Sequence, residues 1–181
     1  MAPHCANLVA DRNVGAHWER CFCVHAAKAG KSFTPMQIGR NESAAWFSRP
    51  GLKWNKFTLP DVTVWTAPGE HHEIKHKAPT RAGEFGLEVY RFDALLAFAE
   101  ETGQPVLYTI HNHALSGGRD SMVDRIEHWI TADVRDLKGK HRTGRGSSWV
   151  NGKPHDDVPI YYWNARLWGP LSARWAKGRA A

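Results

Sequence analysis

The chain has 181 residues, 42% of them hydrophobic, which is enough for one domain with a packed core and short for two. Lys and Arg outnumber Asp and Glu by 24 to 18, giving a net charge of +6 and a pI near 9.4; this suits a polyanion-binding surface, although many basic proteins bind no nucleic acid. No run approaches eighteen apolar residues, and Met1 to Ala10 lacks a basic segment followed by an apolar one, so the sequence predicts an intracellular, cytoplasmic protein with no membrane partner.

Asp11 to Ala29 carries Val14, Trp18, Cys21, Phe22, His25 or Ala26, and Ala29 at helical spacing, with Gly30 as a cap. Glu19 borders that apolar stripe. It is placed either to reach a neighbouring carboxylate site or to pair on the surface with Arg12 or Lys28. Cys21 and Cys23 read as helix residues; with Cys5 they make an odd count without a CxxC pair, which argues against a disulfide scaffold, a four-cysteine zinc site or an Fe-S cluster. Phe33 to Ile38 reads as an extended piece, and Gly39 to Ser43 as a loop leading into Ala44 to Phe47.

Leu59-Pro60-Asp61-Val62-Thr63-Val64-Trp65-Thr66 is rich in β-branched residues, Ala67-Pro68-Gly69 breaks it, and His72-Glu73-Ile74-Lys75-His76-Lys77 resumes an extended run. The spacing predicts a hairpin. Alternation puts Glu73 and Lys75 on one side of the second strand and Ile74, with His72 and His76, on the other. Antiparallel pairing brings Asp61, twelve positions before Glu73, within reach of an ion shared with it. Two carboxylates form a hard oxygen site of the kind Mg²⁺ takes, and a neighbouring lysine can orient water or stabilise a phosphate. An E-x-K element alone also fits an ordinary solvated charged face.

Pro60-Asp61 followed by Glu73-Ile74-Lys75 resembles the PD-(D/E)XK, or restriction-endonuclease-like, nuclease superfamily, and Gly15 through Glu19-Arg20 looks like the first-helix G-x-x-x-E-R element of archaeal-type Holliday junction resolvases. The resemblance implies a Mg²⁺-dependent deoxyribonuclease, with Mn²⁺ as a substitute, in which Asp61 and Glu73 hold metal, the Ile74 carbonyl adds a ligand, Lys75 assists the nucleophile and Glu19 assists the metal. It implies a homodimer acting on DNA, with a branched junction as the preferred substrate, in recombination or repair, in a bacterial or phage-infected cell. By the same resemblance Arg40, Ser43 and Arg49 belong to a loop over the site, with a plain surface loop as the alternative, and Arg20 and Lys77 join the DNA-contacting cations.

After a break at Ala78 to Gly83, Glu84 to Thr102 shows Phe85, Val89, Phe92, Leu96 and Ala99 at helical spacing, predicting a second helix that ends before Gly103. Glu88 and Arg91 lie on its polar face, as an intrahelical pair or as contacts to DNA or metal-bound water. Related nucleases place a Gln here with a Tyr four positions later; Gly86 and Tyr90 depart from that pattern. Val106 to Ile110 reads as a buried strand beside the hairpin, and strand, helix, strand implies a right-handed crossover. His111 and His113 are expected at the site mouth as polar or phosphate-contacting groups.

Ser121 with Asp124 resembles a capping box for a third helix carrying Met122, Ile126, Trp129, Ile130, Val134 and Leu137. Lys138 to Ser148, with Lys138, Lys140, Arg142 and Arg145 among glycines, reads as a flexible segment able to follow a phosphate backbone or as a solvated loop. The aromatics from Ile160 to Trp175 suit a core or an interface better than base platforms. The expected fold is α/β: a restriction-endonuclease-like core with a central mixed sheet flanked by helices in the order α-β-β-β-α-β, and a C-terminal helical and aromatic-rich extension. Residues 1–181 form a single nuclease domain, with the core at about 11–115 and the extension at 116–181. An exonuclease, a restriction-type endonuclease or a non-catalytic nucleic-acid-binding protein on this fold remain as alternatives.

Overall fold

The computed structural model describes residues 8–35, 60–65, 69–150 and 153–177. Helix α1 (Leu8–Lys28) leads into β1 (Ser32–Pro35), followed by β2 (Val62–Trp65) and β3 (Glu70–Lys77). Strand β4 (Glu84–Glu88), helix α2 (Val89–Thr102) and β5 (Val106–Asn112) come next. The remainder is β6 (Trp129–Asp133), α3 (Val134–Leu137), β7 (Arg142–Val150), β8 (Lys153–Asn164), β9 (Gly169–Pro170) and α4 (Leu171–Lys177).

Six strands form one mixed sheet in the order β1-β2-β3-β5-β6-β9, and β4-β8-β7 form a second, antiparallel sheet. The hairpin pairs as the sequence predicts, with Val62 opposite His72 and Val64 opposite Glu70. The only parallel pairing among the described strands is β3 with β5, Glu73 facing Tyr108 and Lys75 facing Ile110. Strand β5 is buried from Val106 to His111 because both faces of the large sheet are covered. On one face Trp18, Phe22 and Ala26, spaced by one helical turn, pack with Val62, Val64, Ile74, Trp129, Leu171 and Trp175. On the other, α2 and the small sheet bring Phe85, Leu87, Phe92, Leu95 and Trp163 against Val106, Tyr108 and Ile110. Val14, expected on the buried stripe, is 45% exposed.

Three expected elements differ. Glu84 to Glu88 is a strand, because Phe85 and Leu87 alternate into the core while Gly86 sits opposite Tyr162; one four-residue interval, Phe85 to Val89, also fits a helix. Residues 121–137 form no single helix: a 3-10 turn at Ile126–His128 opens into β6, which satisfies the free edge of β5, and Asp133 caps the short α3 through Arg135 N–H at 2.9 Å. Asp124 accepts the Trp129 indole at 2.8 Å and bonds His25 at 2.9 Å. The basic stretch from 142 onward is strand β7, paired along β8. Residues beyond 116 thus supply β6 and β9 to the large sheet and are no appendage to it.

The Tyr162 ring spans the small sheet between Gly86 and Gly144. A methyl group at 86 would come 2.9 Å from both Ile160 Cγ2 and Tyr162 Cε1, and the ring cannot swing aside as a flexible chain end would. Gly86→Ala is therefore expected to cost about 1–3 kcal/mol, read from the midpoint of urea unfolding.

Candidate active site

Because Val62 and Val64 turn into the α1 core, Asp61 takes the opposite face of its strand, the face on which β3 presents Glu73, Lys75 and Lys77. Continuing the hairpin register sets Asp61 opposite Glu73. Asp61 Oδ2 accepts the Ile74 N–H at 2.7 Å, which fixes the carboxylate at the strand entrance. The Lys75 ammonium contacts Glu73 Oε1 directly, donates to the Ile74 carbonyl at 3.2 Å and lies 3.8 Å from Asp61 Oδ2. From the first turn of α2, Arg91 forks onto Glu73, Nε to Oε1 at 3.0 Å and Nη2 to Oε2 at 2.7 Å, with Nη2 3.7 Å from Asp61 Oδ1. The Glu73 side chain is fully buried, while Asp61, Lys75 and Arg91 keep 17%, 28% and 20% of theirs exposed, so these three form the mouth.

Burial pushes the Asp61 carboxyl up, and the adjacent Glu73 charge adds to it, to about 6, outweighing Lys75 and Arg91. Burial acts on Glu73 in the same sense but loses to Arg91 and then Lys75, which hold it below the usual carboxylate range. The Lys75 ammonium is raised: burial opposes its charge, and Glu73 and Asp61 overcome that. Three oxygens, from Glu73, Ile74 and Asp61, converge on the position of Lys75 Nζ, so the cluster is built to favour positive charge. Two carboxylates and a carbonyl are hard donors that fit Mg²⁺ or Mn²⁺. No group of three or more His, Cys, Asp or Glu among the described residues is arranged to hold a metal, so such an ion would draw its other ligands from water and substrate oxygens.

Glu19, half-buried on α1, lies near enough for its charge to contribute to the upward push on Asp61. The Lys77 amine donates to the Gly86 carbonyl at 2.6 Å beside Glu88, and the Tyr108 hydroxyl donates to the same carbonyl at 2.9 Å. Arg142 pairs with Glu84, Nε to Oε1 at 2.8 Å, and lies over the Tyr162 ring at 4.5 Å. Arg145 is joined to Asp157, and Lys138 to Glu100 at 2.7 Å. These cations are thus held by carboxylates of the chain itself. Arg20 and Lys140 are exposed, and Arg40 and Ser43 lie outside the described residues. His111, expected at the mouth, instead stacks on Trp18 beneath α1 together with His76, which the sequence did assign to the face opposite Glu73; the ring centres are 3.7 and 4.4 Å from the indole. Their alternation with Lys75 on β3 and with Ile110 on β5 sends them there.

Sequence reasoning offered Glu88 and Arg91 as an intrahelical pair or as contacts to DNA or metal-bound water, and missed the partners they take here, Ser148 and Glu73. Glu88 bonds the Ser148 hydroxyl of β7 and faces Lys77; burial opposes its charge, but Lys77 and Ser148 hold its carboxyl down to about 2. A depressed acid contributes stability that is complete above its unfolded value near 4.5 and is lost as pH falls toward 2. Glu88→Gln is therefore expected to destabilise at neutral pH by on the order of 2 kcal/mol, the deficit shrinking from pH 4.5 downward, as followed by urea unfolding of both proteins across pH.

No family model matches the chain, and no curated protein sequence does. Among solved structures it is similar to Hjc, a Holliday junction resolvase from the archaeal hyperthermophile Archaeoglobus fulgidus, with a TM-score of 0.50 and 12% identity over 90% of this chain and 95% of that one. The likeness extends well past residues 11–115, and at this identity what it establishes is a shared α/β fold with a central mixed sheet.

Proposed function

We propose that the chain is a metal-dependent DNA endonuclease of the PD-(D/E)XK kind. The observation that carries the reading is the convergence of Asp61, Glu73, the Ile74 carbonyl and Lys75 on one face of a β-hairpin, three oxygens around one ammonium. Asp61 and Glu73 would hold Mg²⁺ or Mn²⁺, with the Ile74 carbonyl as a further ligand and Glu19 adding negative field from α1. When bound, the ion makes water a stronger nucleophile and neutralises charge growing at phosphorus. Lys75, partly exposed beside the acids, positions the attacking water or the phosphate oxygen, and burial of Glu73 keeps bulk water from competing. The likeness to a Holliday junction resolvase supports a branched DNA substrate; a homodimer of this chain would place two such sites on symmetric strands.

The test is a panel of four-way junction, linear duplex, single strand and flap, incubated with Mg²⁺, with Mn²⁺ or with EDTA. Metal-dependent paired nicks at the junction support the whole reading, and cutting of duplex or ends instead keeps the chemistry and changes the substrate. Salt-sensitive binding with no cutting of any substrate replaces the enzyme with a DNA-binding protein on this fold. Of the described helices, none is long and apolar enough to cross a membrane.

A further inference from the structure

The Arg91 guanidinium and a divalent ion would compete for the same oxygens. Its fork takes both oxygens of Glu73, at 3.0 and 2.7 Å, and the same Nη2 approaches Asp61 at 3.7 Å. A carboxylate held in two places at once has its best lone-pair directions engaged, so a metal ion binds Glu73 at full strength only when the guanidinium lets go. The charge balance points the same way. Asp61 and Glu73 are already matched by Lys75 and Arg91, and a divalent ion added to that set would leave two positive charges uncompensated in a largely buried site.

A phosphodiester supplies one of the two missing negative charges and accepts a guanidinium fork as a carboxylate does. Arg91 is placed to meet one. Its side chain is 20% exposed, and it sits in the first turn of α2, where no acidic residue stands and no side chain caps the helix. An anion there meets the positive helix end, while the Glu88 carboxylate just before it is turned to Ser148. Resting on the nuclease reading above, we propose that Arg91 is an exchangeable latch on Glu73, whose transfer from the carboxylate to a substrate phosphate couples metal binding to nucleic-acid binding. The metal site then reaches full affinity only where a phosphodiester is already in place.

The measurement is Mn²⁺ affinity, followed by the electron paramagnetic resonance signal of the free ion, with and without a phosphorothioate-linked duplex that resists cleavage. In the unmodified protein the duplex is expected to tighten Mn²⁺ binding by about tenfold or more. Arg91→Gln should bind Mn²⁺ alone more tightly than the parent and lose about tenfold of that coupling, with Arg91→Lys, one ammonium in place of a fork, in between. A merely structural Arg91 leaves the coupling where it was, so Arg91→Gln with parental coupling overturns the latch; if Glu73→Gln still weakens Mn²⁺ binding, the metal reading stands. Absence of Mn²⁺ binding in every protein, duplex present, overturns the metal reading and the latch with it. Should Arg91→Gln fail to fold, the unmodified protein decides alone: Mn²⁺ affinity indifferent to the duplex overturns the proposal.

Discussion

Lys75→Ala is expected to lower metal-dependent cleavage by about a thousand-fold or more while the protein stays folded and still binds DNA. The ammonium sits where the three oxygens converge, so its removal takes away the charge that would meet a phosphate or water at the acids. The fold survives because Glu73 keeps Arg91, whose fork holds both of its oxygens. DNA affinity should fall only a few-fold, one cation among many. The check pairs initial cleavage rates on the preferred substrate with fluorescence-anisotropy binding in EDTA and a thermal melt. A variant that cuts at more than a tenth of the parental rate would remove Lys75 from the chemistry. Arginine at 75 is no rescue, since its planar fork is longer and would collide with the space Arg91 already fills.

The hairpin and its polar face were legible because two local signals agree there. A β-branched run over 62–66 with a Pro-Gly break fixes the strands, and alternation alone assigns Glu73 and Lys75 to one side. What surrounds that face was not legible, since each partner arrives from far along the chain: Arg91 is eighteen residues from Glu73, and Ser148 is sixty from Glu88. Helical spacing at Phe85 and Val89 hid a strand, whose identity rests on pairing with Phe85 opposite Trp163 and Leu87 opposite Tyr161. In the same way Trp129 to Asp133 reads locally as helix, and only the open edge of β5 draws it into the sheet. The glycines among the cations at 142–148 signalled a flexible loop, whereas Gly144 and Gly146 leave room for Tyr162 and Ile160. Position in the tertiary fold, which composition does not carry, decides between those two uses of glycine.

Trp18→Ala should cost about 3–5 kcal/mol of stability in urea unfolding, the largest structural effect expected of a single change. The indole is 2% exposed and lies flat against His111, with His76 on the stack and Trp129 at its edge. It joins α1 to the reverse side of the strands that carry Glu73 and Lys75, through the cluster containing Val62 and Ile74. Loss of the ring should therefore weaken Mn²⁺ binding as well, although Trp18 is on the far side of the sheet. The pH dependence separates packing from a nonspecific loss. Burial, with His76 adding to it, pulls the His111 imidazole down to about 3, so the unfolded chain takes up this proton first and the folded protein loses stability as pH falls from 6.5 toward 3. In Trp18→Ala water reaches the ring, His111 titrates nearer its ordinary value, and part of that acid loss disappears. The deficit of the variant should thus be greatest at pH 7 and narrow steadily toward pH 4. A deficit constant across that range would mean that the indole fills space without keeping the histidine dry, and that α1 holds the strands by packing alone.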